Sequence, residues 1–244
     1  MRDLLDDGVA GTRLLKIDRI AAASLADEPY QWGHIDDLFD DAVAAQLVST
    51  YPTALYRTVI GDDGEKAYEH DARALIAMGG TRPTRPEHLS SVWRSLADEL
   101  VSAPYRTAMS TLTGCDLTTV PIEANLLHYG PGASLGAHSD LADKLVTHVL
   151  YFNTTWDPAL GGCLRILRSP DIDDVVSEIA PIVGSSTVIV RSERSFHGLP
   201  PVSPSSAESR RSMTVTFYRP GSVSPMWPPG EHVALHSCGA KATD

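Results

Sequence analysis

The sequence is short of every feature that would tie it to a membrane, a nucleic acid or an oxidising compartment. Its three cysteines, Cys115, Cys163 and Cys238, are odd in number, widely spaced and form no Cys-x-x-Cys pair. Neither a disulfide framework nor a zinc ribbon is expected, and a reducing cytoplasm fits. No apolar run approaches the ~20 residues needed to cross a bilayer. The opening Met-Arg-Asp-Leu-Leu-Asp-Asp places acids where a secretion signal would carry its apolar segment. Positive charge is also scarce: 20 lysines and arginines stand against 31 acids, a net charge of −11, with no basic run. Nucleic acid and anionic membrane surfaces are poor partners for such a chain. The expectation is a soluble cytoplasmic protein, with its oligomeric state left open.

What is present is ordinary for a globular protein. Hydrophobic residues make up 43% and charged residues 21% of 244 residues, enough to bury a substantial core without staples. Residues 1–30 are weakly patterned, with a short helix expected at Ala21-Ala-Ala-Ser-Leu-Ala. An apolar stretch from Trp32 leads to Asp40, a suitable N-cap, and a helix over 42–50 that ends at Tyr51-Pro52. Residues 53–86 are polar and aperiodic, and read either as a substrate lid or as a surface excursion. Leu89, Val92, Trp93, Leu96 and Leu100 form one helical stripe, with Trp93 expected in the core, and a further helix runs from Tyr105 to Leu112 before Gly114. From Thr119 the pattern changes to strands, at 120–128, 145–153, 162–168, 186–191 and 211–219. No βαβ spacing occurs, so the sheet should be antiparallel. The expected fold is mainly β with flanking helices around a double-stranded β-helix, or jelly roll. In this division 1–118 supplies helical support and the candidate lid, 119–220 the catalytic core and 221–244 a surface-wrapping tail, all in one unit.

The chemistry centres on Tyr129-Gly-Pro-Gly-Ala-Ser-Leu-Gly-Ala-His138-Ser-Asp140. Residues two apart in an extended chain point to one face, so His138 and Asp140 can aim at one point, with His197 as a third ligand. Two histidines and a carboxylate with open positions opposite is the donor set of non-haem Fe(II) oxygenases. The other histidines sit in unrelated contexts, and His148, which opposes Thr147 in facing, is expected in the core or on the outer face.

Alone, His-x-Asp is a weak signal; the order of elements around it is far more specific. Tyr-Gly-Pro-Gly, His138-Ser-Asp140, Val-Thr-His-Val-Leu-Tyr-Phe-Asn, Gly161-Gly-Cys-Leu-Arg-Ile-Leu, Phe-His197-Gly-Leu-Pro-Pro-Val and Arg210-Arg-Ser-Met-Thr-Val follow in order. From about Ile122 to Pro220 the chain resembles the 2-oxoglutarate- and Fe(II)-dependent dioxygenases, in particular their prolyl-4-hydroxylase-like branch. The resemblance implies Fe(II) with 2-oxoglutarate and O2 as cosubstrates, and an oxidation that releases succinate and CO2. It also implies hydroxylation rather than halogenation, because Asp140 fills a position that related halogenases leave to a small residue.

A distal carboxylate of 2-oxoglutarate needs an anchor, and the planar fork of arginine supplies one. Arg210 and Arg211 both qualify. Arg210 shares its strand face with Ser212, Thr214 and Thr216, which suits a polar pocket, and Arg210-x-Ser212 matches the family's Arg-x-Ser. Arg211 lies with Met213, Val215 and Phe217, an apolar layer expected under the helices. Tyr151 resembles the tyrosine that helps to hold the same carboxylate. Asn125, Tyr129, Trp156 and, by resemblance, Arg165 are candidates for the substrate pocket. The leading reading is a dioxygenase acting on a small molecule, an amino acid or derivative in a biosynthetic pathway. The alternatives are a protein-residue hydroxylase of the same chemistry and a cupin-like metal-binding protein or isomerase that does not use 2-oxoglutarate.

Overall fold

Strict alternation along one strand, Arg210–Tyr218, sets the two sides of the molecule. Met213, Val215 and Phe217 point into one core, whereas Arg210, Ser212, Thr214 and Thr216 line a cavity on the other face. The computed structural model describes residues 13–62, 67–230 and 233–238. In chain order the strands are β1 (Trp32–Ile35), β2 (Ala54–Asp62), β3 (Ala67–Ile76), β4 (Ile122–Tyr129), β5 (Ser134–His138), β6 (Lys144–Tyr151), β7 (Leu164–Leu167), β8 (Val175–Ile179), β9 (Ser186–Val190), β10 (His197–Leu199), β11 (Arg210–Tyr218) and β12 (His236–Ser237). The helices are α1 (Ile17–Ala22), α2 (Asp41–Ser49), α3 (Ser91–Leu100) and α4 (Ala103–Thr113).

The strands form one curled antiparallel sheet in the order β1-β9-β6-β11-β4-β3-β5-β10-β7-β8, with β2 paired to β3 and β12 to β2. The curl brings the far strands back over the near ones. Leu164, Ile166 and Leu199 of β7 and β10 share a core with Leu127, Tyr129, Val149 and Tyr151 of β4 and β6. This is the jelly-roll core that the strand pattern predicts.

The outer face of the near strands is covered by helices. The α3 stripe of Val92, Trp93, Leu96 and Leu100 packs with Met213, Val215 and Phe217, and Trp93 is wholly buried. Gly114, with φ of 70°, ends α4 in the left-handed conformation that glycine adopts at least cost. The Glu99 carboxylate at the end of α3 accepts the Leu14 and Leu15 backbone amides and so ties down the N-terminal segment. The first helix lies a few residues before the expected alanine run, because Ile17 and Ile20 are the side chains with a core to enter.

The larger correction concerns residues 53–86. Apart from residues 63–66, which lie outside the described residues, this stretch is mostly the hairpin of β2 and β3, and β3 is inserted between β4 and β5. It escapes a periodicity search because its cavity-facing side chains, Tyr68 and His70, are polar or amphipathic and its buried neighbours include Ala72 and Arg73. Residues 1–118 therefore supply β1, β2 and β3 to the sheet as well as helices. The tail is also more than a wrapping: β12 pairs with β2, Cys238 enters the outer core, and Met226 and Trp227 pack against the inner one.

Candidate active site

The register of two short strands creates the site. His138 at the end of β5 is the direct cross-strand partner of His197 at the start of β10, and their ring centroids lie 4.5 Å apart. Asp140 follows in the loop before β6, and donor atoms of all three residues lie within 4.8 Å of one another. His138 Nδ1 and His197 Nδ1 each meet a backbone carbonyl, of Gly136 and Ser195 respectively, at 2.9 Å. A carbonyl only accepts, so each Nδ1 carries the proton and the Nε2 lone pair is the ligating one. The Asp140 carboxylate accepts from Lys144 Nζ at 2.5 Å and from the Thr147 hydroxyl at 2.8 Å. Burial pushes its pKa up, but neighbouring positive charge, that of Lys144 foremost, outweighs burial and holds the carboxyl well below the usual range. Two neutral imidazoles and one ionised carboxylate, all buried, fit Fe(II).

The three side chains border a cavity of about 340 Å³ whose floor is formed by β4, β11 and β6. A larger open depression of about 770 Å³, beside Ala44, Val48 and Gly184, lies away from these ligands and contains none of them. The smaller cavity is the candidate site, because the convergent buried polar groups are there.

Arg210, 1% exposed, stands at one end of this floor. Its Nη1 donates to the Ser212 hydroxyl at 2.6 Å, and its guanidinium carbon lies 5.2 Å and 5.5 Å from the ring centroids of Tyr129 and Tyr151. Its Nε is buried without a hydrogen-bond partner, and no carboxylate pairs with this cation among the described residues. A buried guanidinium without a counter-ion is costly, so an anionic ligand belongs here. Burial raises the Tyr129 and Tyr151 hydroxyls to about 12 against the opposing charge of Arg210, so both remain protonated donors. Tyr151 shares a hydrogen bond of 2.8 Å with Thr187. Gly162, with φ of 70°, lets the neighbouring turn come close; a Cβ there would lie 2.9 Å from Val202, 3.1 Å from Trp156 and 3.7 Å from Arg210.

Of the residues expected at the pocket, Asn125 lines the cavity and accepts from Trp227 Nε1 at 2.7 Å. Tyr129 lies at the Arg210 end. Trp156 does not line the cavity and donates to the Gly161 carbonyl at 2.8 Å. Arg165 is a correction. Leu164 faces inward on β7, so alternation turns Arg165 outward, where it pairs with Glu178 at 2.7 Å and Asp173 at 2.9 Å. Arg211 also faces away, 5.8 Å from the Tyr51 ring centroid. His148 is in the core, hydrogen-bonded to the Tyr105 hydroxyl at 2.9 Å. A second cluster, Asp71, His128 and Cys238, lies under the tail. There the Cys238 thiol donates to Asp71 at 3.2 Å, and burial and this bond push the thiol well above its usual range.

Several residues around the ligands had no motif to announce them. Lys144 and Thr147 hold Asp140, Arg191 Nε donates to its backbone carbonyl at 3.3 Å, and the Tyr30 hydroxyl donates to the Phe196 carbonyl at 2.7 Å, next to His197. Thr147 and Glu123 were legible in principle, since they share strand parity with Tyr151 and with Asn125. Tyr30 and Arg191 reach the site only through long-range packing.

Residues 124–218 match the family model described as the 2OG-Fe(II) oxygenase superfamily. No curated protein matches the sequence. Among solved structures, a Pseudomonas putida prolyl-4-hydroxylase is 19% identical with a TM-score of 0.52, over 83% of this chain and 97% of that one. A Trichoplax adhaerens prolyl hydroxylase, solved with a peptide fragment of the hypoxia inducible factor oxygen degradation domain, is 14% identical with a TM-score of 0.53. It is matched over 83% of this chain and 87% of that one. At such identities the likeness is one of fold. Over residues 124–218 the chain is similar to the 2OG-Fe(II) oxygenase superfamily, and it is a dioxygenase that uses Fe(II), 2-oxoglutarate and O2.

Proposed function

We propose that this oxygenase hydroxylates an unactivated C–H of a small molecule, an amino acid or a derivative of one. The observation that carries the reading is a single cavity holding both the His138, Asp140 and His197 ligands and the unpaired guanidinium of Arg210. In this reading the triad holds Fe(II), and Arg210, with Ser212 and Tyr151, receives the distal carboxylate of 2-oxoglutarate. Tyr129 and Asn125 line the remaining space. Bound there, Fe(II) and 2-oxoglutarate with O2 supply the oxidation: succinate and CO2 leave, and one oxygen atom passes to the substrate carbon.

The residues of the chain do the rest by position. The Nδ1–H bonds to Gly136 and Ser195 fix both imidazole rings, and Thr147 orients Asp140. Groups of this kind, one step behind the ligands, typically change metal affinity by ~10- to 100-fold when removed. Tail residues Pro225 and Met226 line the cavity. A cavity of about 340 Å³ suits a metabolite, which favours a small molecule over a protein segment.

An anaerobic titration tests the assignment. Adding Fe(II) and then 2-oxoglutarate to the apo-protein should raise a weak visible charge-transfer band, absent in His138→Ala. Free amino acids should then stimulate succinate release more than peptides containing the same residue. Iron binding without the band would remove the cosubstrate assignment and bring the cupin-like reading forward. Stimulation by peptides alone would move the enzyme to the protein hydroxylases.

A further inference from the structure

The cavity floor carries a second buried ionisable side chain, Glu123, that neither Fe(II) nor 2-oxoglutarate accounts for. Along β11, Arg210 and Thr216 face the same side six residues apart, about 20 Å at the usual rise per residue of an extended strand. Arg210 is paired with Tyr129 of β4. Thr216 is paired with Glu123 of β4 on one side and with Thr147 of β6, the residue that holds Asp140, on the other. Glu123 thus lies at the end of the floor opposite Arg210, in the same cross-strand row as the side chain supporting a metal ligand.

Glu123 lines the cavity and is 2% exposed. Its Oε2 accepts a 3.4 Å bond from the Tyr218 hydroxyl, with the Ser224 hydroxyl and the Asn125 amide beside it. Its Oε1 is buried with no hydrogen-bond partner among the described residues. The cation that acts on it, Lys144, is itself bonded to Asp140 at 2.5 Å. Asp143 adds a further buried, unpartnered carboxylate oxygen, and the charges of Glu123, Asp140 and Asp143 all act on Tyr218. One end of the cavity therefore holds a guanidinium without a counter-ion and the other a carboxyl oxygen without a hydrogen-bond partner among the described residues.

We propose that Glu123 is the specificity determinant of this enzyme and receives an ammonium group of the substrate, so that the hydroxylated molecule is an amine. This rests on the oxygenase reading above and narrows its substrate class. An unpaired buried carboxylate oxygen is costly when nothing meets it and forms strong, short bonds when an N–H cation does. The opposite charges also sort the two organic reactants: the dicarboxylate is drawn to Arg210 and repelled by Glu123, whereas a cation behaves in reverse. Burial is the largest influence on the Glu123 carboxyl and raises its pKa; an ammonium arriving beside it would favour the charged form.

The test uses the full-length enzyme loaded anaerobically with Fe(II) and 2-oxoglutarate. The probes are free α-amino acids and alkylamines, each paired with its N-acetyl counterpart. Binding is read as a shift of the charge-transfer band and turnover as succinate release in air. At least one amine should perturb the band and stimulate succinate release about tenfold or more over its acetylated partner. Glu123→Gln should raise the KM for that amine by about 10- to 100-fold, the loss of one charge-assisted bond, with the band in the absence of substrate unchanged. Glu123→Asp should retain the preference for the amine. The proposal is overturned if acetylated probes do as well, if Glu123→Gln keeps the preference, or if no amine perturbs a band that has formed. It is also overturned if Glu123→Gln weakens the band itself, since Glu123 would then serve Lys144 and Asp140. If the band never forms in the unaltered enzyme, the oxygenase reading fails and the inference falls with it.

Discussion

At the scale of single residues, the site is governed by which charges are left unpaired in a buried place. Arg210 is held by Ser212 and two tyrosine rings but has no carboxylate partner among the described residues. Hydrogen bonds between charged groups contribute about 1.5–3 kcal/mol. Arg210→Ala should therefore weaken 2-oxoglutarate binding by at least ~10- to 100-fold in a titration of the charge-transfer band, while Fe(II) binding is retained. Arg210→Lys should not restore it, because an ammonium lacks the planar fork. Undiminished affinity in either variant would remove Arg210 from the cosubstrate site. The opposite facing of Arg210 and Arg211 was legible from strand parity, because side-chain direction in a strand is a local property. Arg165 shows the limit. The resemblance placed it near the metal, but Leu164 occupies the inward position and turns it to solvent-facing acids.

At the scale of elements, the helices matter through the face they bury. The outer core under α3 and α4 encloses His148, wholly buried and bonded to Tyr105. Burial pushes its imidazole down to about 3. An unfolded chain takes up this proton as the pH falls below the ordinary value of about 6.5, whereas the folded chain resists until about 3. The unfolded state thus holds more protons within that window, so stability falls as the pH is lowered through it, by at most ~1.4 kcal/mol per unit. His128, pushed down to about 4 by burial and by Arg211, acts with the same sign. Urea unfolding measured from about pH 7 to pH 4 should show this decline, and the double variant Tyr105→Phe, His148→Leu should show a shallower one. An unaltered slope would acquit His148. The helices α2, α3 and α4 and five strands were legible because their apolar residues follow one period. By contrast, β3 was not, since a strand that faces a polar cavity has the composition of a surface loop.

For the whole molecule, the decisive feature is that the tail closes over the cavity built by the core. Trp227 donates to Asn125 at 2.7 Å and lies under the Arg57 guanidinium, 5.6 Å from ring centroid to carbon, while the Arg57 Nη1 donates to the Met226 carbonyl at 2.8 Å. Trp227→Ala should raise the KM of the substrate several-fold to about 30-fold and increase succinate release without substrate, leaving the charge-transfer band in place. A variant with unchanged KM and unchanged uncoupled turnover would show that the tail has no part in substrate binding.

Taken by itself, the sequence determined much of the strand and helix pattern, the antiparallel jelly roll, the candidate set of His138, Asp140 and His197, and the face on which Arg210 lies. Each of these follows from spacing within one segment or from the order of segments. Only the tertiary structure decided that His197 meets His138 across β5 and β10, that β3 enters the sheet beside β4, and that Arg165 is excluded. It alone placed Glu123 at the far end of the floor and brought the tail over it. These features depend on strands that pair across long loops and on polar side chains turned into an enclosed cavity. Hydrophobic patterning reads such side chains as surface, and only the closed sheet shows that they are inside.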